Sequence, residues 1–397
     1  MRLVHLSDIH LGFRQYQRLT PAGINQREAD VAAAFKRAID RTIELRPEIV
    51  LLVGDIFHTV RPTNPAILHA FQQFFRLREA LPDAVIVMIA GGHDRPRTLE
   101  TGYILRLFAQ LGFLIADREA EHFHVPERDL SILAVPHIPG TKTRFRPPEH
   151  PARYNILAVH GELDGMIPRT ILDEPATMEF SREDLGLNHW NYVALGHYHV
   201  FRALDTNAFY SGSLDYTSAN PWGELHEERQ AGLRGKGIVE FDLERQEHTF
   251  HHIPPSRPLI DLPSFSARGL AAADVDRRIR ECVDACRDGI DDKVVRLVIR
   301  DIPRHIAREL DHVALRAYRR QALHFLLDAR RPDTVSIHSQ GAPGRRPTLA
   351  EIVREKLRSR VLEGDIDREA LVSLGLHYLA EAEAVAQIAP DPHEAVV

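Results

Sequence analysis

Cysteine is scarce in this chain of 397 residues: only Cys282 and Cys286 occur, and their i, i+4 spacing puts both on one face of a helix. So few thiols exclude a disulfide framework and a thiolate zinc site, and two reduced thiols in a cytosolic protein are expected. No apolar run approaches the ~20 residues that a membrane helix needs, so no membrane span is expected. The opening residues lack the charged, apolar and small succession of a signal peptide, which agrees with a cytoplasmic location. A basic excess is also missing. The net charge of −6 argues against a broad basic coat for nucleic acid, although local arginines and metal ions can still hold phosphates.

What is present is a composition suited to a large folded core, with 44% hydrophobic and 27% charged residues, and a length that allows two or three domains. Apolar strands alternate with helical patterns through the first half. Arg2–Leu6, Ile49–Val53 and residues 84–90 read as strands, and Gln26–Leu45 and Asn64–Ala80 as helices. A further helix is expected from Thr98 to about Leu111. Three βα units in succession imply a parallel sheet with helices on its faces, and ligands collect at the carboxyl ends of such strands. From about residue 130 the strands (131–135, 155–159, 192–195) come with fewer helices, and later ones (201–204, 237–243, 248–253) read as antiparallel. The fold class expected is α/β: two sheets packed face to face and flanked by helices.

Proline-rich Pro254-Pro255-Ser256-Arg257-Pro258 reads as a stiff linker. After it comes a small α+β module, strand–helix–strand, and a second break at 341–347 precedes two helical patterns. The first of these opens on Thr348-Leu349-Ala350-Glu351, a capping box. The domains expected are 1–254, 255–335 and a helical pair at 345–385. That pair either folds back on the body or presents its apolar stripes to a partner.

Chemistry-bearing residues stand at the strand ends: Asp8-x-His10, Gly54-Asp55, Gly92-His93-Asp94, His160-Gly161 and Gly196-His197-x-His199. From an extended backbone Asp8 and His10 are expected to share a face. Five such pairs in succession, each after an apolar strand, point to a metal site. Aspartate and histidine without cysteine favour manganese, iron or zinc, and the ligands outnumber what one ion needs. Asp55 is the natural bridge between two ions, with Asp8, His10 and His199 completing one site and His160 and His197 the other. His93, oriented by Asp94, is the candidate acid for a leaving alkoxide.

These motifs resemble the calcineurin-like metallophosphoesterase superfamily, through residues 1 to about 215, and within it the SbcD family of double-strand-break repair exonucleases. Gly54-Asp55-Ile56-Phe57-His58 resembles the nuclease form of the second motif, which implies a role for His58 in the active site. Ser211-Gly212-Ser213-Leu214-Asp215-Tyr216-Thr217-Ser218 resembles the segment that follows the last histidine motif in these nucleases. The resemblance implies a metallophosphoesterase sandwich with a DNA-capping domain after Arg257 and a C-terminal helical pair that docks on an SbcC-type coiled-coil ATPase. It also implies two divalent ions, most readily manganese, DNA as substrate, and a homodimer.

One position departs from the family, which has Asn before the third-motif His-Asp as a ligand of the second metal. Here Gly92 stands instead. Three readings remain open: water fills the position, another residue such as His137 substitutes, or the chain is catalytically weakened and acts as a DNA-binding scaffold. The first ranks highest because the other motif residues are all present. A phosphodiesterase or phosphatase for a small substrate is the rival activity; His58 and the long C-terminal region argue against it. Arg14, directly after the first ligands, is the foremost candidate for a DNA phosphate contact, ahead of Arg18, Arg95, Arg97, Arg144, Arg146 and Arg153.

Overall fold

Strands that are apolar without interruption need cover on both faces, and the computed structural model shows that cover. It describes residues 1–96, 103–140, 144–166, 178–332, 348–359 and 367–388. In chain order the first half runs β1 (Arg2–Leu6), α1 (Gln26–Leu45), β2 (Ile49–Val53), α2 (Asn64–Ala80), β3 (Val85–Ile89), β4 (Leu114–Ala116), β5 (Glu121–Val125), β6 (Leu130–Val135) and β7 (Tyr154–His160). Then follow β8 (Glu162–Leu163), β9 (Glu179–Phe180), α3 (Arg182–Leu185), β10 (Tyr192–Gly196), β11 (Arg202–Asp205), β12 (Ala208–Tyr210), α4 (Pro221–Gln230), β13 (Gly237–Asp242) and β14 (Glu247–His252).

Two six-stranded sheets result, ordered β14-β13-β1-β2-β3-β4 and β11-β12-β10-β7-β6-β5. Strands β1 to β4 are parallel, as are β6, β7, β10 and β12, and the antiparallel partners lie at the margins. Side chains alternate between two cores, as a period of two requires. Leu3, Leu51, Val53, Val87 and Ile89 meet Ile132, Ile156, Ala158 and Phe209 between the sheets. Val4, Leu6, Val50, Leu52 and Met88 face α1 and α2 instead. Asn25 caps α1 by accepting from the Arg27 amide, and Thr63 caps α2. The expected helix at 98–111 differs: its described part, Ile104–Leu111, is a 3₁₀ helix with no side-chain cap, ended by Gly112 at φ 73°. Its start at Thr98 lies outside the described residues.

Beyond the linker come β15 (Leu259–Ser266), α5 (Ala272–Asp284), β16 (Val294–Arg300), α6 (Arg304–Glu309), α7 (His312–Gln321) and β17 (His324–Ala329). The three strands form a parallel sheet with its own core around Val275, Ile279, Leu297 and Leu315. This module is pinned to the sandwich: Arg257 donates to Asp30, Arg18 donates to the carbonyls of Arg320 and Ala322, and Tyr16 stacks on His324 at 4.0 Å. Residues Met1–Arg331 form one compact unit.

The second unit, Pro332–Val397, contains α8 (Leu349–Ser359) and α9 (Arg368–Ile388). The capping box forms, with the Glu351 carboxylate accepting from the Thr348 amide and Thr348 Oγ1 accepting from the Glu351 amide. The helices pack closely at Gly375, where a Cβ would lie 2.5 Å from Leu357 Cδ1. Leu349, Ile352, Leu374 and Tyr378 are exposed. The break at 341–347 lies outside the described residues. No helix among the described residues is long and apolar enough to cross a membrane.

Candidate metal centre

The carboxyl ends of the parallel strands from both sheets meet at one rim. The loops after β1 and β2 zip together there: Asp8 and His10 amides donate to the carbonyls of Gly54 and Asp55, and Leu11 to Ile56. The sheets are stitched across the rim by the His137 amide on Ala90 O and the His197 amide on the Asp8 carboxylate. The expected extended presentation of Asp8 and His10 is corrected. β1 stops at Leu6, and Asp8, His10 and Asp55 have φ of 51°, 53° and 49°. The left-handed turns fold the carboxylates and imidazole inward, a strained conformation held by the zipped loops.

Around Asp55 the side chains converge. Its Oδ2 lies 3.4 Å from His160 Nε2 and 3.8 Å from His10 Nε2, and His199 Nε2 is 3.1 Å from His10 Nε2 and 3.9 Å from Asp8 Oδ1. Among the described residues three groups could hold an ion, Asp8/His10/His199, Asp8/Asp55/His160 and His10/His58/His93, each with its donor atoms within 4.8 Å of one another. His197 packs its ring 5.7 Å from that of His160, and its Nε2 is buried with no partner. His160 reaches this depth because Gly54 and Gly196 flank it; a Cβ at either would lie 2.1 or 2.6 Å from its Nδ1.

Hydrogen bonds choose which nitrogen each histidine presents. His160 Nδ1–H donates to Val53 O at 2.9 Å, which turns Nε2 toward the centre and Asp55. For His199 it is charge rather than a hydrogen bond: Nδ1 lies at ion-pair distance, 3.4 Å, from Glu224 Oε1, with Nε2 turned inward. Glu224 is in turn held by Lys236, which also pairs with Glu228 at 3.0 Å and donates to His199 O. No short motif surrounds Glu224 and Lys236, so sequence reasoning missed both. Ser7 donates to Asp8 at 2.6 Å and meets Ser211 at 2.8 Å, which gives the segment 211–218 its place: its Ser213 amide also donates to His199 O.

Electrostatics fit a cation site. Burial works to raise Asp55, but His160, then His10 and His93, outweigh it and hold its carboxyl well below the usual range. Burial likewise disfavours a charged His160, yet Asp55 outweighs it and lifts the imidazole to about 9. His10 is driven well below its ordinary value by burial, and His197 is lowered by burial and then by His160. Buried, partnerless Nε2 atoms on His160 and His197 beside carboxylates are what divalent ions would satisfy. An Asp and His donor set without sulfur suits manganese, iron or zinc.

The remaining expected residues divide. His58 stands beside the centre, its Nδ1 3.4 Å from His10 Nδ1 and its ring stacked 5.1 Å from His93; burial and then His93 push it down to about 4. His93 Nδ1–H donates to His58 O at 2.7 Å, and its amide donates to Asp55 Oδ1. The expectation that Asp94 orients His93 is corrected. The Asp94 carboxylate accepts from the amides of Ile56, Phe57 and Gly91, so it ties down the Asp55 loop, while the His58 carbonyl orients the ring. Burial and the Asp55 charge raise Asp94 to about 7. Arg14 is half-exposed but paired with Glu28 at 2.7 Å. Arg18 serves as a strut to the module, Arg95 donates to His137 O, Arg144 pairs with Glu183, Arg146 donates to Phe145 O and Arg153 lies over the Tyr154 ring. Arg97 lies outside the described residues.

Comparison with known proteins agrees with this arrangement. Relatives named DNA double-strand break repair protein Mre11 are similar in sequence. That of Methanocaldococcus jannaschii is 27% identical over 254 residues, covering 61% of this chain and 63% of its own. That of Thermoplasma acidophilum is 30% identical over 256 residues, 61% and 64% of the two chains. That of Methanopyrus kandleri is 24% identical over 405 residues, 96% of this chain and 82% of its own. The chain thus spans less than two thirds of the length of the first two. The model of the calcineurin-like phosphoesterases matches residues 1–229, a stretch that contains every side chain converging on Asp55. By that match, and by the rim it covers, this chain belongs to the calcineurin-like phosphoesterase family.

Proposed function

We propose that the chain is a manganese-dependent DNA exonuclease and endonuclease that hydrolyses phosphodiester bonds in double-strand-break repair, in the cytoplasm, as a homodimer with an SbcC-type coiled-coil ATPase. The observation that carries the reading is the Asp8/His10/Asp55/His160/His199 cluster with His58 and His93 at its edge. The names of the similar proteins support DNA as substrate. The module of β15 to β17 would cap the DNA, and α8 and α9 would dock on the ATPase.

Asp8, His10 and His199 would hold one ion and His160 and His197 a second, with Asp55 between them. Divalent ions bound there supply a water that ionises near neutral pH and charge to neutralise the phosphate oxygens. The protein's own part is positional. The zipped loops fix the ligands before substrate arrives, which removes reorganisation from the reaction. His93 keeps one proton on Nδ1, bonded to His58 O. Its protonated form then carries the mobile proton on Nε2, free to pass to the leaving alkoxide. Arg14 would contact a DNA phosphate from its half-exposed position.

The test is incubation with labelled double-stranded DNA and with bis-p-nitrophenyl phosphate, with manganese and with chelator. DNA cleavage that disappears in chelator is expected. Cleavage of the small ester alone would make the chain a small-substrate phosphodiesterase, and cleavage of neither a DNA-binding scaffold. His93→Ala should cut roughly a hundredfold slower or worse, the usual scale for a lost general acid, with its thermal melt unchanged. Full-rate cleavage by that variant would defeat the acid assignment.

A further inference from the structure

Gly92 lies at the rim, and the group nearest to its missing side chain is an imidazole. A Cβ built there would lie 3.7 Å from both Nδ1 and Cε1 of His137. That is ordinary van der Waals contact, so the Nδ1 edge of the ring borders the space that a longer residue 92 would occupy.

His137 is held from three sides. Its amide donates to Ala90 O at 2.9 Å, its carbonyl accepts from Arg95 at 3.0 Å, and its Nε2 accepts from the Met178 amide at 3.2 Å. The ring stands 6.1 Å from that of His160, and the residue as a whole is 9% exposed. Among the described residues, no group hydrogen-bonds to Nδ1.

The Met178 contact decides what Nδ1 can do. A backbone amide only donates, so Nε2 supplies a lone pair. A neutral imidazole with its lone pair on Nε2 has its proton on Nδ1, and the Met178 amide holds His137 in that tautomer. Metal ligation through Nδ1 would need the opposite tautomer and would set two N–H groups against each other at Met178. The fixed tautomer therefore makes Nδ1 a donor rather than a ligand. We propose that His137 is a substrate-binding residue whose Nδ1–H donates to a phosphate oxygen in the space left open by Gly92. On this assignment the site has a histidine at each end: His93 beside His10 for the leaving group, and His137 beside His160 for a phosphate oxygen.

This inference rests on the phosphoesterase reading, and the experiment separates the two. Manganese is titrated calorimetrically into the full chain, wild type, His137→Ala and His137→Asn. Inorganic phosphate is then titrated into each manganese-loaded protein, and kcat and KM for bis-p-nitrophenyl phosphate are measured. The expected result is unchanged manganese stoichiometry in all three and phosphate affinity about tenfold weaker in His137→Ala, the scale of one hydrogen bond to a charged group. KM should rise by a similar factor, and His137→Asn, which keeps an N–H, should recover part of the loss. Loss of one manganese equivalent in a folded His137→Ala would make His137 a ligand and overturn the proposal, as would phosphate affinity equal to wild type. If His137→Ala does not melt cooperatively, His137→Asn decides on the same two readouts. A wild type that binds no manganese and cleaves neither substrate would overturn the phosphoesterase reading and take this inference with it.

Discussion

His5 shows what one titratable residue contributes when it is buried away from the chemistry. It faces the interior between the sheets, with Nδ1 3.1 Å from the Tyr192 hydroxyl and no exposed surface. Burial lowers it to about 3 from an ordinary 6.5. The unfolded chain therefore binds a proton between those values that the folded chain refuses. Stability is complete above about pH 6.5 and falls as pH drops toward 3, by up to ~1.4 kcal/mol per pH unit from this residue. Chemical denaturation of wild type and His5→Phe across pH 4 to 7 checks this. The variant should lose close to one proton's worth of slope, and equal slopes would show that His5 stays protonated inside the fold. Residues at this scale were unevenly legible. Asp8, His10, Asp55, His160, His197 and His199 could be read because each follows an apolar strand. Glu224, Lys236 and the ring partner of His93 could not, since their contacts join stretches far apart in the chain and no local pattern marks them.

Between elements, the clearest dependence is that of the segment 211–217 on α1. Arg27 in the first turn of α1 is buried; it donates to Asp215 at 2.8 Å and to Tyr216 O, and it also pairs with Asp30. Removing Asp215 would strip the buried guanidinium of its nearest carboxylate, a change that costs on the order of 3–5 kcal/mol in folded proteins. Asp215→Ala should lose that much in urea denaturation, and Arg27→Met with Asp215→Ala should regain most of it, because the double variant buries no charge. A loss below about 1 kcal/mol in the single variant would mean that Asp30 alone satisfies Arg27. Elements with a clear period were readable in advance: β1, β2, α1 and α2 fall on the residues their patterns indicate. β5 reads Glu-His-Phe-His-Val with little apolar content, and α4 has no apolar face of its own. Both are fixed by neighbours, β5 by antiparallel pairing with β6 and α4 by burying Trp222, Glu224 and Glu228.

At the scale of the whole molecule, the candidate metal centre is also a joint. Asp8, His10 and Asp55 come from loops of one sheet, and His160 from the end of β7, with His197 and His199 from the loop after β10, in the other. The joint brings His10 and His199 nitrogens within 3.1 Å of each other and buries Nε2 atoms of His160 and His197 that have no hydrogen-bond partner. Ions bound by both sets of loops would satisfy those atoms and tie the sheets together. A ligand that binds only the folded state adds RT ln(1 + [L]/Kd), about 2.7 kcal/mol at a hundredfold excess over Kd. Spread over a unit of this size, that is a shift of a few degrees in Tm. Manganese should therefore raise the melting temperature of the chelator-treated protein in a concentration-dependent way, and Asp55→Asn should abolish most of the shift because the central carboxylate charge is gone. Module and sandwich share the cluster of Tyr216, Trp222, Leu259, Val294 and Leu323, so they should melt in one transition and move together. A melt unmoved by manganese at concentrations where calorimetry records binding would mean that the ions attach to one sheet only, and the centre would then be a site on the rim rather than a link across it.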